Sequence, residues 1–169
     1  MAELGPQERL QPSLLDRLAD DEPQKKMESR DKRALTVDKL RQAVLRDLAW
    51  LLNTDPPMSS TDLDRLPDVK NSVLNYGFRD CTGRVLSGLD TEAMEGDLLE
   101  AIVAFEPRIQ RKSLKISVEV DPSHMSHNAV IFSIEGELWA HPIPLQLFLK
   151  TEVDLEDGSF AVSESDGAR

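Results

Sequence analysis

The chain has 169 residues, with 31 acidic against 20 basic side chains and a formal net charge of −11, and only 5% of it is aromatic. Such an acidic balance argues against nucleic acid as the main ligand, because phosphate binding needs clustered Lys and Arg. The length and aliphatic composition suit a single core, no apolar run is long enough to cross a bilayer, and the lone Cys81 cannot close an internal disulfide, which together point to a cytoplasmic protein with no membrane insertion.

Taken in order, the first eleven residues are polar, with Gly5 and Pro6, and read as disordered; Glu3, Pro6 and Glu8 stand where a secretory signal would need a basic flank and an apolar stretch. Ser13 is a good N-cap for a short helix, with Asp16 as the acidic half of a capping box. Leu14, Leu15 and Leu18 give that helix one apolar patch. A helix so short is unstable alone in water, so the patch must dock, either on its own domain or, as expected here, on a neighbouring subunit. Asp20 to Lys32 is charged, contains Pro23 and reads as a linker, so residues 1–33 form a flexible arm with a docking helix. Arg30, Lys32, Arg33, Lys39, Arg41 and Arg46 concentrate positive charge here. This reads as a solvated helix face, the alternative being a docking surface for an acidic partner.

Thr36 caps a second helix whose stripe is Val37, Leu40, Val44, Leu48 and Leu51, running to Asn53, with Trp50 off its centre. The stripe spans too few heptads for a coiled coil and should pack on its own domain. Pro56 and Pro57 mark a loop. A helical turn around Leu63 and Leu66 follows, then a short helix after Pro67 with Val69, Val73 and Tyr76 inward and Gly77 at its end. Phe78 to Asp90 is a connector carrying Gly83 and Gly88, anchored by Val85 and Leu86.

The centre of the chain is Thr91 to Val120. Met94, Leu98, Ile102 and Phe105 share one helical face. Pro107 forces that helix to end at Phe105 or Glu106. Leu114, Ile116, Val118 and Val120 then alternate with polar residues, so the period switches from helix to strand across Glu106-Pro107-Arg108. Val130, Phe132 and Ile134 mark a second strand, with Leu138 and Trp139 close behind. Leu145, Leu147, Leu149, Thr151, Val153 and Leu155 mark a third. Asp157-Gly158 predicts a two-residue hairpin into a last strand through Phe160 and Val162, with residues 164–169 a disordered tail. The fold class is α+β: helices first, then a small antiparallel sheet of three to four strands, in one domain over residues 34–163.

These residues in this order resemble a known family. An apolar helix closing in Phe105-Glu106-Pro107-Arg108 before an alternating strand is similar to the small wedge subunit of contractile-injection baseplates, and most of all to the TssE family of type VI secretion systems. Ser13-Leu14-Leu15-Asp16-Arg17-Leu18, Val44-Leu45-Arg46-Asp47-Leu48 with Trp50 to Thr54, and Ser72 to Gly77 fit as well. The resemblance implies a structural wedge protein that joins the baseplate to the contractile sheath. It would offer strands within Leu114 to Val162, with Leu147, Leu149, Thr151, Val153, Phe160 and Val162 carrying the contact, as a template for sheath strands. Leu14, Leu15 and Leu18 would tie it to other wedge subunits. Strand addition is physically reasonable, since sheet edges present unpaired N–H and C=O groups.

Reactive chemistry is poorly supported. A glycosidase needs two carboxylates about 5 to 10 Å apart, one protonated as general acid. Glu106 is the one carboxylate in a distinctive setting, and Arg108 beside it would hold it ionised; the pair is expected to fix the angle between helix and sheet. His124 and His127 are spaced like metal ligands but lack further donors, His141 has no partner suggested, and Cys81 has no histidine nearby in sequence. Gly83 and Gly88 match no phosphate-binding loop. The expectation is therefore no enzyme, no cofactor or metal, and no small-molecule substrate, with a generic adaptor domain as the second reading and a peptidoglycan hydrolase as the third.

Overall fold

Capping and periodicity place the helices. In the computed structural model, which describes residues 13–18, 23–24, 36–56, 63–83, 90–119, 129–139 and 144–165, helix α1 spans Leu14–Leu18 and α2 Val37–Leu52. The Ser13 hydroxyl accepts the Asp16 amide at 3.3 Å and donates to the Asp16 carboxylate at 2.7 Å. Thr36 caps α2 through the Lys39 amide. Leu40, Ala43, Val44, Leu48, Leu51 and Leu52 form the buried stripe of α2; Val37, expected within it, lies in the first turn and is 39% exposed. Trp50, off the centre of the stripe in sequence, lies outside it in the structure as well. It is half exposed, with the Arg46 guanidinium 4.9 Å from its ring centre.

The helix expected after Pro67 is shorter than its pattern suggests. A four-residue α3, Pro67–Lys70, ends at Asn71, and a separate 3₁₀ turn, Val73–Asn75, starts where the Ser72 hydroxyl accepts the Leu74 amide. That break turns Val73 outward, to 83% exposure, while Tyr76 packs edge-on against Phe105. Gly77 is required by geometry. Its φ is 136°, and a side chain there would overlap the Thr54 carbonyl oxygen, which accepts the Phe78 amide at 2.9 Å. Phe78 and Cys81, read as connector, are buried, and Phe78 meets Phe160 edge-on. Val85, Leu86 and Gly88 lie outside the described residues, as do the first eleven residues, Arg30, Lys32, Arg33, Val120, the three histidines and residues 166–169.

Helix α4, Thr91–Phe105, is capped by Asp90 and buries Met94, Leu98 and Ile102. Strands β1 (Lys115–Glu119), β2 (Ala129–Leu138), β3 (Leu145–Asp154) and β4 (Phe160–Glu164) form an antiparallel sheet in the order β1-β2-β3-β4. The register places Val118 opposite Phe132, Phe132 opposite Thr151 and Thr151 opposite Val162, so these side chains share one face. That face joins the stripes of α2 and α4 in one apolar cluster. The architecture is α+β, as the period switch predicts.

Three details of the sheet differ from expectation. β2 runs unbroken through Leu138 rather than stopping at Ile134. Gly136 within it makes room for Ile109, whose methyl would sit 3.0 Å from an added Cβ. The link between β3 and β4 is a loop of residues 155–158, not a two-residue turn, because Asp154 pairs with Ser159 and the Gly158 amide reaches back to the Asp154 carbonyl at 2.8 Å. Leu155 is thereby buried as an anchor under the loop, which a two-residue turn would not allow. Finally, β4 continues to Glu164, with the Ser165 amide on the Phe148 carbonyl at 2.9 Å.

Candidate functional site

The pivot Glu106-Pro107-Arg108 is built by the end of α4. The Glu106 amide still donates to Ile102 at 2.8 Å, after which Pro107 cannot continue the ladder and the chain turns. It is then hooked onto the far end of β2. The Trp139 amide donates to the Arg108 carbonyl at 2.7 Å, and the Gln110 amide donates to the Glu137 carbonyl at 2.8 Å. Two main-chain bonds therefore fix the angle at which helix meets sheet.

The side chains of the pivot point the other way, into a cleft of about 400 Å³. Ser13 and Leu15 of the α1 region, Asp47 and Trp50 of α2, Tyr76, and Phe105 to Arg108 contribute to its walls. Glu106 is 3% exposed. Arg108 Nε donates to Glu106 Oε1 at 2.6 Å and Nη2 to Oε2 at 2.5 Å, a bidentate pair closed further by the Arg108 amide on Oε1 at 3.2 Å. The same Nη2 donates to Asp47 Oδ2 at 2.5 Å. Asp47 Oδ1 in turn accepts Arg46 Nε at 2.9 Å and Nη2 at 2.7 Å, and Arg46 Nη1 reaches Asp16 Oδ1 at 2.5 Å.

Charges of alternating sign thus run from the end of α4 across α2 to α1. Burial would lower the basicity of Arg108, but its bonds to Glu106 and then Asp47 outweigh that and raise its pKa above the ordinary arginine value. Arg46 is raised too, chiefly by its bond to Asp16, and the same bond holds Asp16 below the ordinary carboxylate value. Tyr76 is pushed up, first by burial and then by the Asp47 and Glu106 charges.

Sequence reasoning placed Glu106 beside Arg108 correctly but missed Asp47, which is 61 residues away along the chain. The basic stretch is not simply a solvated face. Arg46 is spent on Asp47 and Asp16, and Arg41 Nη1 donates to Glu164 Oε1 at 3.1 Å and Nη2 to the Gln146 carbonyl at 3.3 Å.

Of the three leucines of α1, Leu14 is 70%, Leu15 51% and Leu18 74% exposed. The polar side of α1 makes the described hydrogen bonds to the domain, through Asp16. The strand residues divide. Leu147, Leu149, Thr151 and Val153 belong to β3, an inner strand paired with β2 along its length and with β4 from Leu149 to Val153, so that stretch cannot accept another strand. Phe160 and Val162 are on β4, a true edge. Among the described residues no group of three or more His, Cys, Asp or Glu is arranged to hold a metal, and no helix is long and apolar enough to cross a membrane.

A proline-ended helix hooked to an antiparallel sheet, with a buried Glu–Arg pair at the joint, defines a structural α+β module. The family model for baseplate wedge protein gp25 matches residues 38–143, and the chain belongs to that baseplate wedge family. Membership gives it a structural role in the baseplate, with other baseplate subunits as partners. A search of curated proteins gave no match. Among solved structures, the crystal structure of a candidate tail lysozyme from Geobacter sulfurreducens is similar at a TM-score of 0.42 and 16% identity, covering 80% of this chain and all of that one. A likeness so loose decides nothing about activity.

Proposed function

We propose that the chain is the small wedge subunit of a type VI secretion baseplate, resident in the cytoplasm within a membrane-docked complex. It joins the baseplate to the contractile sheath and templates sheath polymerisation by strand addition, and it is not an enzyme. The observation that carries this reading is the pivot: a buried Glu106–Arg108 pair and two main-chain bonds to β2 spend the most distinctive residues of the chain on setting a sheet at a fixed angle. Bidentate bonding to Arg108 occupies both carboxylate oxygens of Glu106, where a general acid needs free reach to a substrate. Leu14, Leu15 and Leu18 form the contact to the rest of the wedge.

The test is complementation of a deletion strain carrying a fluorescent sheath protein. The full chain should restore extended sheaths, and Arg108→Ala should not. Normal sheaths without the chain would overturn the templating role. The hydrolase reading is checked separately, by adding the purified chain to cell walls. Turbidity should hold steady, and clearing that disappears in Glu106→Gln would reverse the assignment.

A further inference from the structure

The charges of the cleft form a row whose inner members are all shared. Asp16 Oδ1 and Asp47 Oδ1 both accept from Arg46, Asp47 Oδ2 accepts Arg108 Nη2, and that same nitrogen donates to Glu106 Oε2. Each arginine is thus held between two carboxylates, and Asp47 between two arginines. In such a row neighbouring pairs compete for one charge, so a change at one end alters the hold at the other. The influence also passes beyond nearest neighbours. Asp16 is kept below the ordinary carboxylate value chiefly by its bond to Arg46, and in smaller part by the charge of Arg108.

The two ends of the row lie on different parts of the fold. One is α1, seated by Asp16 on Arg46 and by the Ser13 and Leu15 walls of the cleft. The other is the joint between α4 and the sheet, where Arg108 serves twice. Its guanidinium ends the row, and its carbonyl accepts the Trp139 amide at 2.7 Å. Beside it the Gln110 amide donates to the Glu137 carbonyl and the Glu137 amide to Ser113 Oγ, each at 2.8 Å. One residue therefore carries both the charge row and the hook onto β2.

We propose that α1 and the helix–sheet joint are coupled through Arg46, Asp47 and Arg108, so that seating α1 tightens the hook on β2 and lifting α1 loosens it. With the Asp16 charge withdrawn, Arg46 is answered by Asp47 alone and repels Arg108 more strongly. Asp47 is drawn toward Arg46, and Arg108 loses part of the hold on its far side. The element with two positions is α1 itself, since Leu14 and Leu18 are 70% and 74% exposed and add little to its seat. Whatever presses α1 onto the cleft stiffens the joint, and whatever lifts it frees the joint. The coupling belongs to the isolated chain and is independent of which partner takes the leucines.

The experiment is residue-resolved amide hydrogen exchange on the full chain at neutral pH. Asp16→Asn keeps the side-chain shape and removes the charge, and it should speed exchange of the Gln110 and Trp139 amides about threefold or more. The Gly83 amide, which donates to the Leu155 carbonyl outside the row, should be unchanged. Asp16→Glu should restore most of the protection, and Leu14→Ala, on the exposed side of α1, should match the wild type. Because the row runs through Asp47, Asp47→Asn should loosen the same amides and make a further Asp16→Asn change silent. Wild-type protection of Gln110 and Trp139 in Asp16→Asn would mean that the main chain alone sets the joint, and the coupling would be lost. An equal rise at Gly83 would overturn it too, as general loss of stability. So would a full additional effect of Asp16→Asn in the Asp47→Asn background, which marks a route around the row. All these readings come from the chain alone, so the baseplate reading stands or falls separately.

Discussion

Glu106 is a carboxylate with a side chain 4% exposed, and at that depth an unpaired charge is far more costly than a missing contact. Arg108 answers it with both nitrogens of its fork, a geometry lysine cannot copy. Asp47 then takes the remaining reach of Nη2. The arrangement makes the arginine the worse residue to lose. Arg108→Ala strands Glu106 and Asp47 beside each other, and it should lower unfolding free energy by about 3 to 5 kcal/mol. Arg108→Lys should recover only part of that. Denaturant unfolding followed by circular dichroism measures both; a wild-type midpoint for Arg108→Ala would mean that the carboxylates find water and that the pair serves contact with a partner. The pairing of Glu106 with Arg108 is legible in sequence because two residues separated by one proline at a helix end have little choice of partner. Asp47 is not legible, since the distance along the chain hides it and its neighbour Leu48 draws attention only as a core position.

Elements are held with very different firmness, and α1 is the weakest of them. Leu14 and Leu18 face outward, so it stays on the domain chiefly through the Asp16–Arg46 bond and the Ser13 and Leu15 contacts with the cleft. The bond to Arg46 lowers the pKa of Asp16. A lowered carboxylate contributes its stabilisation above the unfolded value, near 3.9, and loses it as pH falls through the folded value. Release of α1 should therefore come in acid, and before the core unfolds. Trp50 lines the same cleft. In a Trp139→Phe background, which leaves Trp50 as the only indole, its emission should hold from neutral pH to about 4 and shift below it, ahead of the far-ultraviolet signal. Asp16→Asn should show the shifted emission already at neutral pH, and an unchanged spectrum there would place α1 under apolar control. Periodicity predicts the presence of α2, α4 and all four strands because each buries one face, and a one-residue slip would reverse it. Periodicity says nothing of strand order, and that is why β3, with the strongest alternation, reads as an edge when it lies inside. The loop after it fails for a related reason: Asp157-Gly158 signals a turn, but Leu155 needs burial and lengthens it.

For the whole molecule the open question is where the domain ends and assembly begins. The apolar cluster draws on α2, α4 and the sheet, and among the described residues none of its members lies before Leu40. α1 contributes polar contacts and the Leu15 edge of the cleft, and leaves Leu14 and Leu18 to solvent. An exposed row of three leucines on a five-residue helix is a poor use of apolar surface in an isolated chain, and a natural one in a subunit that meets another. On the reading proposed above, the two ends of the protein divide the work: α1 meets the wedge and the sheet meets the sheath. Deleting residues 1–30 separates the two. The shortened chain keeps every described residue of the apolar cluster, so it should stay soluble and melt within about 4 °C of the full protein, since the described contacts it loses are surface ones of under about 1 kcal/mol. Co-purification with other baseplate subunits should nonetheless fall to background, with capture of sheath protein retained. An insoluble product would assign the leucines to the domain's own core, and undiminished co-purification would move the wedge contact to the cleft or the sheet.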